Sequence, residues 1–242
     1  MTIDTDDPLA VAVIEAIHKG DVPTLKRLLG ENPGLAAARL GDDDPEGMSR
    51  ALLHVATDWP GHFPNVAATI AALVEAGADV NARFRGPHAE TPLHWAASSN
   101  DVEAVDALLD AGADIEADGG VIGGGTPLAD ARAFLQWEAA YRLVERGAEA
   151  TLIDAATLGL MDRLDDHLAH EPSPDEVNAS FWGACHGGQP RAAENLLDRG
   201  ADVNWIPYWE QLTPLDAAER SDAGELVDWL RARGAKRASE LG

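Results

Sequence analysis

Thr91-Pro92-Leu93-His94-Trp95-Ala96-Ala97, followed by Val102, Val105, Leu108 and Leu109 and closed by Gly112-Ala113-Asp114-Ile115, is the stretch that decides the fold. Thr91 is placed to cap a helix, its hydroxyl accepting from an orphan backbone N–H. Pro92 takes the first helical position, where its missing N–H costs nothing. The small pair Ala96-Ala97 lets a neighbouring helix come close. After a short break, a second helix carries apolar residues at i, i+3, i+6 and i+7. Gly112 ends it in a left-handed conformation. Such a helical hairpin cannot bury its apolar face alone and must stack on others.

The frame returns at Thr126-Pro127-Leu128 with Gly147-Ala148, and at Thr213-Pro214-Leu215 with Gly234-Ala235; in all three copies Thr and Gly are 21 residues apart. Gly77-Ala78-Asp79-Val80-Asn81 and Gly200-Ala201-Asp202-Val203-Asn204 keep the closing motif alone. At these residues the sequence resembles the ankyrin repeat family, and the resemblance covers nearly the whole chain. It implies an all-α fold, an ankyrin-repeat solenoid of about seven stacked helix-turn-helix units with projecting finger loops, in a single domain 1–242. The repeats fall at about 8–40, 50–82, 89–117, 124–150, 151–178, 179–205 and 211–242. At about 33 residues per unit, the 242 residues correspond to roughly 7.3 units. The surplus lies in the 40–49 connection, a 58–65 insertion and enlarged fingers. The second repeat keeps Leu53-His54-Val55-Ala56 without Thr-Pro, and the fourth has Ala129 where the family has His. The fifth has lost both motifs and carries Glu171-Pro172-Ser173-Pro174. The sixth has Phe181-Trp182-Gly183-Ala184 in place of Thr-Pro-Leu-His.

Charge narrows the function. There are 18 basic and 42 acidic side chains, a net charge of -24. Nucleic-acid binding needs basic surface to displace counterions, so no nucleic-acid partner is expected. Anionic membrane surfaces are disfavoured for the same reason. No run of 18 apolar residues appears, so no membrane-spanning helix is expected. One cysteine, Cys185, excludes an intrachain disulfide and argues against a thiolate zinc site. The acidic start Met1-Thr2-Ile3-Asp4-Thr5-Asp6-Asp7 lacks a basic and apolar leader, and a cytoplasmic location is the expectation.

Departures from the frame point to a site. His54 to Gly77 spans 23 residues where His94 to Gly112 spans 18, so five residues are inserted around Asp58-Trp59-Pro60-Gly61-His62-Phe63-Pro64-Asn65. Tolerated drift in a surface loop competes with a binding role there. Fingers 83–90, 118–125 and 205–211 are also long. By resemblance, fingers and first helices line a concave binding surface, and the two residues after the Ala pair face it. Those pairs are Asp58-Trp59, Ser98-Ser99, Ala133-Phe134, Thr157-Leu158, His186-Gly187 and Glu219-Arg220. Aromatics make up only 5% of the chain, yet Trp59, Trp205 and Trp209 fall on loops, where exposed aromatics bind or cover something. The candidate groove is Asp58, Trp59, His62, Phe84, Arg85, His88, Glu90, Phe134, His186, Trp205, Tyr208 and Trp209. The competing reading of the last three folds their finger down onto the preceding loop.

Other residues carry weaker signals. Gly119-Gly120-Val121-Ile122-Gly123-Gly124-Gly125 precedes a helix start but lacks a phosphate-binding Lys, and reads as a flexible finger. By resemblance His54 and His94 tie neighbouring loops, with Asp216 as a polar tie at the same position. His167 and His170 share a helix face without a third ligand. Cys185-His186 point about 100° apart on a helix. Asp130 and Asp154 align with Trp95 at partly buried positions, where Arg132 and Arg142 could neutralise them. Asp58, His62, Arg85, His88 and Glu90 are where an acid, a base and a clamp would be sought.

The sequence therefore reads as a non-catalytic binding module holding a protein or peptide partner in the groove. The alternative is a small-molecule-binding protein or enzyme, with an aromatic-lined pocket formed by the insertion and fingers. Catalysis is the weaker reading, and no cofactor or metal is expected.

Overall fold

The computed structural model describes residues 1–41 and 47–242. Its helices pair into seven hairpins: α1 (Pro8–His18) with α2 (Val22–Glu31), α3 (Leu52–Ala56) with α4 (Val66–Glu75), α5 (Pro92–Ser98) with α6 (Val102–Asp110), α7 (Pro127–Ala133) with α8 (Trp137–Glu145), α9 (Leu152–Leu158) with α10 (Met161–Leu168), α11 (Pro174–His186) with α12 (Pro190–Asp198), and α13 (Pro214–Arg220) with α14 (Gly224–Ala232). The sequence reads as one domain; the hairpins gather into two compact bodies, Met1–Ala148 and Glu149–Gly242. Within the first body, first helices pack on first helices, α1 on α3, α3 on α5 and α5 on α7. Second helices do the same, α2 on α4, α4 on α6 and α6 on α8. In the second body α11 lies between α9 and α13.

The Thr-Pro frame forms as its chemistry requires. Thr91, Thr126 and Thr213 cap α5, α7 and α13, each followed by proline. Leu93, Ala96 and Ala97 are buried between helices, and Gly112 leaves α6 at φ 92°. The His94 ring does two jobs. Its Nδ1 accepts from the Thr91 backbone N–H at 3.1 Å, and its Nε2 bonds the Gly125 carbonyl of the next hairpin at 3.0 Å. One neutral tautomer satisfies both bonds. Asp216 takes the same place, and so does Asp154, which lies at the His94 position and not, as the sequence reading had it, at that of Trp95; each accepts from the N–H of its capping Thr at 2.9 Å. Asp216 also accepts from Ala238 N–H at 2.9 Å. His54 bonds the Glu90 carbonyl at 3.1 Å, but its Nδ1 has no partner among the described residues. Ala51 stands there instead of Thr and pairs with Arg39 in a sheet.

The fold is the all-α solenoid expected, and a small sheet is added to it. β1 (Thr2–Ile3) runs parallel to β2 (Arg39–Gly41), which is antiparallel to β3 (Ser49–Ala51). The Arg39 guanidinium braces it through Ser49 Oγ at 2.9 Å, Ser49 O at 2.6 Å and Arg83 O at 2.8 Å. β2 and β3 take up the ends of the 40–49 connection; residues 42–46 of it lie outside the described residues. A departure concerns the sixth hairpin. Its first helix begins at Pro174, ahead of residue 179, because Ser173 caps it and Glu176 closes a capping box. Where α11 crosses α9, a Cβ at position 187 would fall 1.8 Å from the Thr157 carbonyl oxygen, so only Gly187 permits the approach.

Replacing His94 with Ala leaves the Thr91 N–H and Gly125 carbonyl unpaired and empties a buried ring site. The expected loss is about 2 to 4 kcal/mol of stability in urea unfolding. A change under about 0.5 kcal/mol, the size usual for surface substitutions, would show that the ring is not a tie.

Candidate functional site

In the first body, the insertion is a clamp. The His18 and Phe63 rings stack at 4.4 Å, and Asn65 Nδ2 donates to the Gly20 carbonyl at 3.0 Å. Toward the third hairpin, His62 N–H donates to Asp101 Oδ2 at 2.6 Å and the ring bonds the Ser99 carbonyl at 3.1 Å. Asp58 is ion-paired with Arg50. The loop thus ties three hairpins together while leaving the Trp59 ring 75% exposed.

Beside it lies a hollow of about 270 Å³ whose walls include Trp59, Trp95, Phe134, Val121 and Glu90. Each wall has a separate origin: the insertion, the first helix α5, the end of α7, the glycine finger and the first finger. Trp95 is fixed from behind by Phe84 at 5.5 Å and His54 at 4.9 Å. Burial raises the Glu90 carboxyl above its ordinary range, and the Trp95 indole N–H and the charge of His88 oppose the rise. The sequence reading placed Trp95 in the core; the long flanking loops were the signal that its outer edge is left uncovered.

The glycine stretch is not an unstructured finger. Gly119 N–H and Gly120 N–H donate to the Gly124 and Gly125 carbonyls at 2.9 and 3.0 Å, and Ala89 N–H donates to Gly119 O at 3.1 Å. Asp130, fully buried, holds it through Ile122 N–H at 3.0 Å. Arg142 pairs with Asp106 and Glu145 rather than with Asp130. Burial pushes the Asp130 carboxyl up to about 6, helped by the charge of Glu90 and opposed by the finger amides. Asp130 Oδ2 has no hydrogen-bond partner among the described residues.

Phe84, Arg85 and His88 line a different, open hollow of about 650 Å³ with Gly47 and Met48. The five groups sought as acid, base and clamp are therefore dispersed. Asp58 faces Arg50, His62 faces Ser99, and Arg85 and His88 line the other hollow, from which only the His88 charge reaches Glu90.

In the second body the finger after α12 is partly folded down and partly left in solvent. Trp209 packs edge-on against Trp182 at 6.1 Å and against Trp205 at 5.6 Å. Tyr208 touches Trp209 at 5.0 Å yet is 92% exposed. His186, expected on the open face, is buried: it stacks under Trp182 at 5.2 Å and accepts from Arg220 Nη2 at 3.1 Å. Arg220 lies 5.7 Å from the Trp182 ring centre and pairs with Glu210. Arg237 and Arg231 hold the Glu219 carboxyl down at about 2. Cys185 is buried, and burial drives its thiol far up. His167 bonds the Ala150 carbonyl at 2.8 Å and His170 the Asp166 carbonyl at 2.8 Å. Among the described residues, no group of three or more His, Cys, Asp or Glu is placed to hold a metal ion, and no helix is long and apolar enough to cross a membrane.

Stacked helical hairpins with capped first helices and projecting loops define a helical repeat protein. The family model for ankyrin repeats matches residues 9–119 and 67–154, more than half of the chain, and the chain belongs to the ankyrin repeat family. The fold is similar to the crystal structure of the human ASB11 ankyrin repeat domain. The TM-score is 0.54 at 22% identity, over 90% of this chain and 96% of that one. No curated protein matches the sequence.

The pH dependence of stability tests the Asp130 environment. Its folded value of about 6 lies above the ordinary 3.8, so the unfolded chain loses this proton first. Stability from this group therefore falls as pH rises from about 4 to 6. His54, held neutral by burial with a value near 4, has the opposite slope, so the comparison must be between variants. Asp130→Asn is expected to gain on the wild type across that window, reaching on the order of 2 to 3 kcal/mol at pH 8. A difference that does not change with pH would contradict this.

Proposed function

We propose that the chain is a non-catalytic binding module that holds a protein or peptide partner on its fingers and first helices. Ankyrin repeats are generally protein–protein interaction modules, and the family membership supports that much directly. The finer reading is carried by one observation: loop aromatics stand in solvent, Tyr208 at 92% and Trp59 at 75% exposed, with Trp209 and Phe134 partly so. Rigid aromatic side chains give large contact area at low entropic cost, and such residues dominate binding hot spots. The net charge of -24 favours a neutral or basic partner over nucleic acid. A cytoplasmic setting is part of this reading and fits the unpaired buried Cys185.

Partners captured from native extract should be retested individually by calorimetry against the full chain. Tyr208→Ala and Trp59→Ala remove ring surface already in water, so the fold is kept. At least one of the two is expected to weaken partner binding tenfold or more, about 1.4 kcal/mol. Unchanged affinity in both would overturn the assignment.

A further inference from the structure

We propose that the hollow between Trp59, Trp95, Phe134 and Glu90 is a receptor for the guanidinium of an arginine side chain on a basic segment of the partner. This deepens the binding reading and rests on it. The hollow joins three aromatic rings to two carboxylates, Glu90 and Asp58. Aromatic faces attract cations through the ring quadrupole. Asp58 at the rim is already paired with Arg50, so it offers no free charge. Glu90 has no ion-pair partner among the described residues; the neutral Trp95 indole and the charge of His88 favour its charged form, and acceptor capacity remains on the carboxylate. It is also 8% exposed, and Asp130 adds negative charge from behind it. A buried carboxylate under aromatic walls is an incomplete ion pair, and a cation would complete it.

The geometry favours arginine over lysine. A guanidinium is planar, stacks on aromatic faces and meets a carboxylate through two N–H groups. It is also more weakly hydrated than an ammonium, so it enters a partly dry site at lower desolvation cost. The exposed Trp59 ring and the Phe134 ring, 41% exposed, supply stacking surface that the free protein leaves in water.

The test is a titration of the full-length ¹⁵N-labelled chain with the capped peptide Gly-Gly-Arg-Gly-Gly, following the indole N–H signals of Trp59 and Trp95. Peptides carrying lysine or citrulline at the centre, the latter a neutral isostere of arginine, are run beside it. Saturable shifts are expected with arginine, at least threefold weaker binding with lysine and at least tenfold weaker with citrulline. Glu90→Gln should cost tenfold or more, and Trp59→Ala, whose ring makes little folding contact, should weaken binding without changing the circular dichroism. Absence of saturable shifts up to about 10 mM peptide would overturn the proposal. So would equal binding of citrulline or lysine, or undiminished binding by both variants. Failure here leaves partner capture through Tyr208 in the other body untouched, so the two readings fail separately.

Discussion

A polar side chain at the third residue of a first helix, present in α3, α5, α9, α11 and α13, is the contact on which the stack depends. It reaches back to the capping residue and, where its chemistry allows, across to the next loop. His94 does both with one neutral ring. Asp216 does both with one carboxylate oxygen, and Asp154 reaches back to Thr151. Helix starts expose N–H groups that would otherwise lack partners when neighbours cover them. The ties satisfy those groups and fix the spacing between hairpins. The apolar surface of Leu and Ala then fills the gap, but it is not directional and could not set the register alone.

Where the tie is missing, the structure improvises, and the site follows from that. The fourth hairpin has Ala129 at the tie position. Asp130, one residue later, reaches sideways to the glycine finger through Ile122 N–H. The finger is thereby drawn over the hollow, and Val121 becomes one of its walls. The second hairpin has lost its Thr-Pro, so His54 keeps only its forward bond and a small sheet replaces the cap. The insertion after α3 then takes over the bracing, through Phe63, Asn65 and His62.

The repeat frame was legible because Thr, Pro, Gly and the Ala pair each act locally, on their own turn of chain. The Ser173 cap is written in the sequence too, as a Ser-Pro with Glu176 three residues on, while Phe181-Trp182 stands in place of the repeat motif further along the same helix. Of the site, Trp59, Phe134 and Tyr208 were readable as aromatics on loops. His186 was not, because its burial depends on Gly187 letting α11 close on α9 and on Arg220 and Trp182 arriving from elsewhere. Trp95 was half legible: its helix position implied core, while its exposed edge depends on loops whose paths no local rule sets.

Native-state hydrogen exchange at the backbone amides of Thr91, Thr151, Thr213 and Ala238 tests the ties most directly. Each donates to the side chain of a tie residue. The account predicts protection matching that of the helices they adjoin. Exchange as fast as that of the exposed finger around Tyr208 and Trp209 would mean that the ties are not formed in solution, and that apolar packing alone holds the stack.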